Sequence, residues 1–209
     1  MLEKLMDAIV NIREQEAIET AQALINSGED AFDILDKSTQ AIEEVGKRFE
    51  AGTYFLPELL MSGEVLKKIA DIIKPHFKRE SVAAKKGKAL IGTVKGDIHD
   101  IGKNIVSFLL DINGYEVRDI GIDVPPAKFV EEIKDFHPQV VGLSGLLTLA
   151  YDAMKETVEA IETAGLRDSI KIMIGGGQMS DKIREYVGAD AYGKDAMHGV
   201  RLVKQWTGA

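Results

Sequence analysis

The spacing of apolar residues changes its period once along the chain. Up to about residue 80, apolar side chains recur at steps of three and four. Leu2, Leu5, Met6 and Ile9 form one stripe, and Ala17, Ala21, Leu24 and Ile25 a second. Ile34, Leu35, Ile42, Val45 and Phe49 form a third, and Leu59, Leu66, Ile69, Ile73 and Phe77 a fourth. Each stripe predicts an amphipathic helix, and residues 27–30 break the chain between the second and third. Gly52 suits the end of the third helix, and Pro57 the first turn of the fourth. Pro75 predicts a kink near the end of the last helix. Four such helices predict a four-helix bundle.

Residues 80–87 are small and polar, and beyond them short apolar runs alternate with helical stretches. Strands are expected at 89–94, 115–120, 139–143, 170–174 and, briefly, 190–192. Helices are expected at about 100–112, 126–136, 150–164, 179–187 and 194–206. Strands alternating with helices call for an open parallel sheet covered on both faces. The expected fold is therefore α/β: a helical domain over 1–84, then a flavodoxin/Rossmann-like five-stranded parallel sheet over 85–209.

Composition narrows the function more than the fold. The chain has 209 residues, 45% of them hydrophobic, which suits a globular protein with a sizeable core. No apolar run approaches the roughly 20 residues that span a bilayer. Acids occupy the N-terminus where a signal peptide would carry bases and an apolar run, so the cytoplasm is the expected compartment. With no cysteine, disulfides and thiolate metal sites are excluded. The net charge of −8 argues against a nucleic-acid partner, and the one basic cluster, at residues 85–88, reads as a solvated linker.

The chemistry concentrates where the first apolar run ends. Asp97 and His99 sit two residues apart, and in extended chain they project to one side. The carboxylate can then bond one ring nitrogen and leave the other outward, the arrangement that supports a metal-ligating histidine. In open parallel sheets ligands bind beyond the carboxyl ends of the strands. In strand order 2-1-3-4-5, three unusual segments would converge there: 97–102 after the first strand, 142–148 after the third and 175–178 after the fourth.

Each segment alone has a plain reading. Asp97 or Asp100 can cap a helix, Ser144-Gly145 can be an ordinary turn, and a triple glycine can serve close packing. Common uses of this fold do not match. A phospho-acceptor aspartate is missing at the end of the third strand, which carries Leu143-Ser144. Gly142-Leu143-Ser144-Gly145-Leu146 is not a Gly-x-Ser-x-Gly elbow, and neither a P-loop nor a dinucleotide fingerprint follows the first strand. What is left is one exposed imidazole, small residues around an open slot, and a large ligand to fill it.

These residues match a known signature. Asp97-x-His99-x-x-Gly102, Ser144-x-Leu146 and Gly175-Gly176 resemble the three-part motif of cobalamin-binding domains that hold the cofactor with its lower base off and a histidine on cobalt. The longer string 96–106 is similar to the methionine synthase branch, and residues 49–58 resemble the helical cap over the upper face of the corrin. The resemblance runs over nearly the whole chain. It points to the corrinoid methyl-carrier proteins of methyltransferase systems.

The resemblance implies roles residue by residue. His99 would be the cobalt ligand, and Asp97 would accept its other N–H. Gly102 would let the helix start pack closely. Ser144, Leu146, Gly175 and Gly176 would line the slot for the displaced nucleotide tail, and Phe49 and Leu56 would shield the upper cobalt face. One departure stands out: the serine that bonds the aspartate in methionine synthases is Ala150 here.

The implied function is to carry a methyl group on cobalt between a substrate-specific methyltransferase and an acceptor methyltransferase using tetrahydrofolate or a thiol. A reductive activase is a further implied partner, and residues 80–87 would be the hinge of a moving cap. Such a chain is a subunit, not a complete enzyme. One alternative is the small subunit of an adenosylcobalamin mutase, which usually lacks the cap. Phe49 and Leu56 would also leave little room there for an adenosyl group. A cobalamin sensor is the other alternative, but no DNA-binding helix pair or basic surface supports it. His76 and His137 each abut a proline and read as surface residues. Residues 195–198 and Trp206 are given no chemistry.

Overall fold

The computed structural model describes residues 1–77 and 85–208. The chain divides into two compact units, Met1–Lys78 and Arg79–Ala209. The expected hinge at 80–87 falls mostly on residues outside this description. No helix among the described residues is long and apolar enough to cross a membrane.

The first unit is helical: α1 (Leu2–Val10), α2 (Glu14–Asn26), α3 (Ala31–Glu50) and α4 (Leu56–Ile73). The apolar stripes meet in its core, where Leu5, Ile9, Ala17, Ala21, Leu24, Ile34, Val45, Leu66 and Ile69 are all at most 2% exposed. Asp30 caps α3 by accepting the Phe32 N–H at 2.8 Å. At the other end of α3, Gly52 takes φ +72°. The Gly52 N–H reaches Phe49 O and the Thr53 N–H reaches Arg48 O, which closes the helix in a Schellman motif. Pro75 does not kink α4. The helix ends at Ile73, and Pro75 lies in a separate 3-10 turn, Lys74–His76. Proline has no N–H to donate to the α4 ladder and disfavours helical backbone in the residue before it, so the helix stops ahead of it.

The second unit is a sheet of five parallel strands in the order β2-β1-β3-β4-β5. The strands are β1 (Lys88–Thr93), β2 (Glu116–Asp119), β3 (Val140–Gly145), β4 (Lys171–Gly176) and β5 (Ala191–Tyr192). The helices are α5 (Ile101–Ile112), α6 (Pro126–Phe136), α7 (Ala150–Thr163), α8 (Asp181–Val187) and α9 (Ala196–Thr207). All five expected strands and all five expected helices are present.

Side chains alternate across the sheet, as the strand period requires. Leu90, Val141, Leu143, Ile172 and Ile174 share one core with Phe129 and Ile133 of α6 and Met154 and Val158 of α7. On the opposite face Met173 reaches Gly142 of β3 and Gly199 of α9, and Val106 of α5 also reaches Gly199. Helices therefore cover both faces, and the carboxyl edge is where a ligand can enter.

β3 and β4 run further than their apolar runs suggest. Ser144 pairs with Gly175, and Gly145 with Gly176, so the small residues after both runs belong to the sheet. Glycine is depleted in strands, so pattern alone ends each strand too early.

Asp190 fastens β5 to the sheet. It accepts the Ile172 N–H at 2.8 Å and the Lys171 ammonium at 3.1 Å, and it pairs with Arg167 at 2.9 Å. Burial works against its charge, but the Ile172 N–H, Lys171 and Arg167 outweigh that and hold its pKa below the ordinary carboxylate value. A lowered folded pKa means the stabilisation is present above the unfolded value and fades as pH falls through the folded one. Asp190→Asn should therefore cost about 1 kcal/mol at pH 7, and the gap to wild type should begin to narrow below about pH 4 and close as the folded carboxylate is protonated. Urea melts at both pH values check this; a gap independent of pH would rule out the charge as its cause.

Candidate functional site

β1 ends at Thr93, and the chain then runs irregularly to α5 at Ile101. Thr93 is fully buried, and its hydroxyl donates to the His99 carbonyl at 3.0 Å, which draws the loop back over the strand end. The Val94 N–H donates to Ser144 O at 3.0 Å, carrying the β1–β3 pairing one residue further. This places 97–102 beside Ser144 of β3, and β3 in turn holds Gly175 and Gly176 of β4. Three of the segments singled out by sequence thus meet on one rim.

Asp97 is the fixed point. Its side chain has no exposed surface, while that of His99 is 45% exposed. Asp97 Oδ1 accepts the His99 backbone N–H at 2.9 Å and lies 2.7 Å from His99 Nδ1. Asp97 Oδ2 accepts the backbone N–H groups of Leu146 at 2.7 Å and Leu147 at 3.0 Å. Burial opposes the charge on Asp97. The amides of His99 and Leu147, the His99 ring and the Leu146 amide outweigh it, so its pKa lies below the ordinary value.

A charged carboxylate only accepts hydrogen bonds, so Nδ1 must carry the proton. In the neutral ring this puts the lone pair on Nε2, which has no hydrogen-bond partner among the described residues. The amides of Leu146 and Leu147 thus bond Asp97 Oδ2 in a chain whose residue 150, an alanine, has no hydroxyl to offer. Gly145 must lack a side chain here: a Cβ on it would lie 2.5 Å from the Ala150 methyl.

The glycines differ sharply in what they make room for. A Cβ on Gly102 or Gly175 would meet no heavy atom within 4 Å. Close packing of the α5 start is therefore not the reason for Gly102; the space beside it is open. Gly176 is the reverse case. At φ +122° its Cβ would lie 2.4 Å from Gly145 O. Ser144 is half-buried and its hydroxyl has no partner among the described residues. Leu146 is exposed on the rim, along with Ile98, Leu147 and Leu149.

Phe49 and Leu56 belong to the helical unit and are exposed at 40% and 57%. Around them, Tyr54 turns inward to donate to Val10 O at 2.8 Å, and Glu58 accepts the Phe55 N–H at 2.9 Å. These bonds fix the start of α4 and leave Phe55, Leu56, Leu60 and Met61 exposed. His76 and His137 are exposed, as expected. Asp195 caps α9 by accepting the His198 N–H at 2.6 Å, and His198 Nδ1 accepts the Lys194 N–H at 3.2 Å.

Two supports escape a sequence reading. Lys103 is almost fully buried and pairs with Asp119 at the end of β2, and it also donates to Asn104 at 2.7 Å. Asp123, in the loop after β2, accepts the Gly96 N–H at 2.7 Å. Each pair is distant in sequence, and neither has a local motif to betray it.

These residues suit cobalamin. Among the described residues no three His, Asp or Glu side chains come together to hold a metal ion. A single outward imidazole suits a metal that brings its own macrocycle. The exposed aliphatic side chains suit the face of a corrin, and the open spaces at Gly102 and Gly175 suit its bulk.

Known proteins bear this out. Residues 87–201 match a family model described as a B12 binding domain, and residues 1–74 match a second model of the same description. The chain is 37% identical over 206 residues to trimethylamine corrinoid protein 1 of Methanosarcina acetivorans, covering 98% of this chain and 95% of that one. It superposes on the monomethylamine corrinoid protein of Methanosarcina barkeri with a TM-score of 0.89 at 32% identity, covering 97% and 96% of the two chains. The methanol:cobalamin methyltransferase complex of Methanosarcina barkeri aligns with a TM-score of 0.57 at 27% identity, covering 100% of this chain and 80% of that one. The chain belongs to the family of B12-binding corrinoid proteins, and cobalamin is its cofactor.

Proposed function

We propose that this chain is the methyl-carrying subunit of a methyltransferase system, binding cobalamin with its lower base displaced and His99 Nε2 as the ligand to cobalt. The observation that carries the reading is the imidazole whose Nδ1 is committed to a buried carboxylate and whose Nε2 is free at an open rim. Bound cobalamin supplies a cobalt able to take up and give up a methyl group.

The chain supplies position. Three backbone N–H groups hold Asp97, Asp97 holds the His99 ring, and the ring presents one lone pair in one direction. The anchors on Asp97 Oδ2 are amides, which keep their protons at neutral pH. Ser144, Leu146 and Gly175 leave the slot for the displaced nucleotide tail, Gly176 lets β4 pack against Gly145 beside it, and Gly102 keeps the mouth of α5 clear. On the helical unit, exposed Phe49 and Leu56 offer apolar surface of the kind that keeps water from a methyl group.

Partners follow from the chemistry. One methyltransferase delivers the methyl group from a small methylated donor, and a second passes it to tetrahydrofolate or a thiol. A reductive activase restores cobalt that has been oxidised. Relatives named for trimethylamine and monomethylamine point to a methylated amine as donor. The test is to load the protein with labelled methylcobalamin and add acceptor methyltransferases with tetrahydrofolate or a thiol. Label in either acceptor is the expected result; no transfer with any combination would end the proposal.

A further inference from the structure

We propose that Asp123 is the positioning residue of the histidine loop, setting the height and direction of His99; this rests on His99 being the cobalt ligand. Residues 97–100 have no regular structure of their own, so tethers from outside must fix them. Those on Asp97 come from within the loop and from the residues just after β3. The loop between β2 and α6 supplies another set, running beside the histidine loop as a continuation of the β1–β2 pairing. There the Thr93 N–H donates to Gly121 O at 2.9 Å, and the Val124 N–H donates to Thr93 O at 3.0 Å.

Asp123 closes this run with two bonds. Its carboxylate accepts the Gly96 N–H at 2.7 Å, and its own N–H donates to Asp97 O at 3.0 Å. It thereby brackets Gly96 and Asp97, holding the N–H of the first and the carbonyl of the second, so that the residue bearing the ring-orienting carboxylate is fixed from both ends. To do so, its backbone takes φ +51°. That left-handed conformation is uncommon outside glycine, and aspartate and asparagine are the side chains that tolerate it.

If only the turn mattered, glycine would serve as well or better. Glycine brings no acceptor, however, and the Gly96 N–H would lose its charged partner. A second tie runs parallel, from Asp119 through Lys103 and Asn104 to Asp100, where the Asn104 amide donates at 2.9 Å. Together the two ties hold the histidine loop to the end of β2 and the loop that follows it.

The experiment compares wild type, D123G, D123A and D123N, each loaded with methylcobalamin, with His99→Ala as the reference for lost ligation. The visible spectrum gives the ratio of His-on to His-off forms. In the apoproteins, hydrogen exchange of the Gly96 amide reports the tether without the cofactor. D123G and D123A should lower the His-on to His-off ratio about tenfold, the worth of one hydrogen bond to a charged group, and speed Gly96 exchange. D123N keeps an acceptor and tolerates the backbone, so it should stay within about twofold of wild type. A wild-type ratio in D123G, or D123N as impaired as D123G, overturns the proposal while leaving His99 as ligand. If His99→Ala leaves the spectrum unchanged, the ligand assignment fails, and this proposal with it.

Discussion

Replacing His99 by alanine should leave a folded protein that no longer shows an imidazole-ligated cobalamin spectrum. Among the described residues the ring bonds only Asp97, and it is nearly half exposed. Once it is gone, Asp97 Oδ1 still holds the backbone N–H of residue 99, and Oδ2 keeps the amides of Leu146 and Leu147. No buried acceptor is orphaned, so the melting temperature should stay close to wild type. Binding should suffer far more. Losing only the partner of a metal-bound histidine costs about 10–100-fold in affinity, so losing the histidine should cost at least about 100-fold. Titration with hydroxocobalamin, read in the visible range, checks both. An unchanged spectrum at unchanged affinity would remove His99 from the site.

Asp97→Asn gives a contrasting signature. An amide in place of the carboxylate turns an NH2 group toward the amides of Leu146 and Leu147 or toward that of His99, donor against donor. That variant should lose about 1–3 kcal/mol of stability without cofactor, in addition to weaker binding.

The sequence revealed the parts of this molecule that depend on local pattern. The change from a period of three and four to alternating strand and helix separates the helical unit from the sheet, and Asp97 and His99 stand out because they are neighbours. What depends on distant contacts was harder to see. The length of β3 and β4 is set by pairing of Ser144 with Gly175 and Gly145 with Gly176, residues that do not look like strand. Ala150 offers Asp97 no hydroxyl, and only the fold shows the Leu146 and Leu147 amides bonding Oδ2. Asp123 meets Gly96 from 27 residues away, and Lys103 meets Asp119 from 16 residues away, each by a pair of residues unremarkable alone.

Gly175 and Gly176 should respond in opposite ways to added bulk. Gly176→Ala forces a Cβ to within 2.4 Å of Gly145 O at φ +122°, with backbone on both sides of the clash. Nothing flexible can yield there, and the conformation alone costs about 1–3 kcal/mol. With the clash added, roughly 3 kcal/mol is expected, a drop of about 6–12 °C in melting temperature for a chain of this size. Gly175→Phe places its Cβ where no described atom lies within 4 Å, at a strand position that favours an aromatic over glycine. The apoprotein should therefore melt at or near the wild-type temperature. Affinity for hydroxocobalamin should nevertheless fall by about 100-fold or more, since the ring occupies the slot the cofactor requires. A Gly175→Phe protein that binds like wild type would show that the open space is not the cofactor slot. One glycine is thus required by the protein and its neighbour by the ligand, and general damage to the loop cannot produce that split.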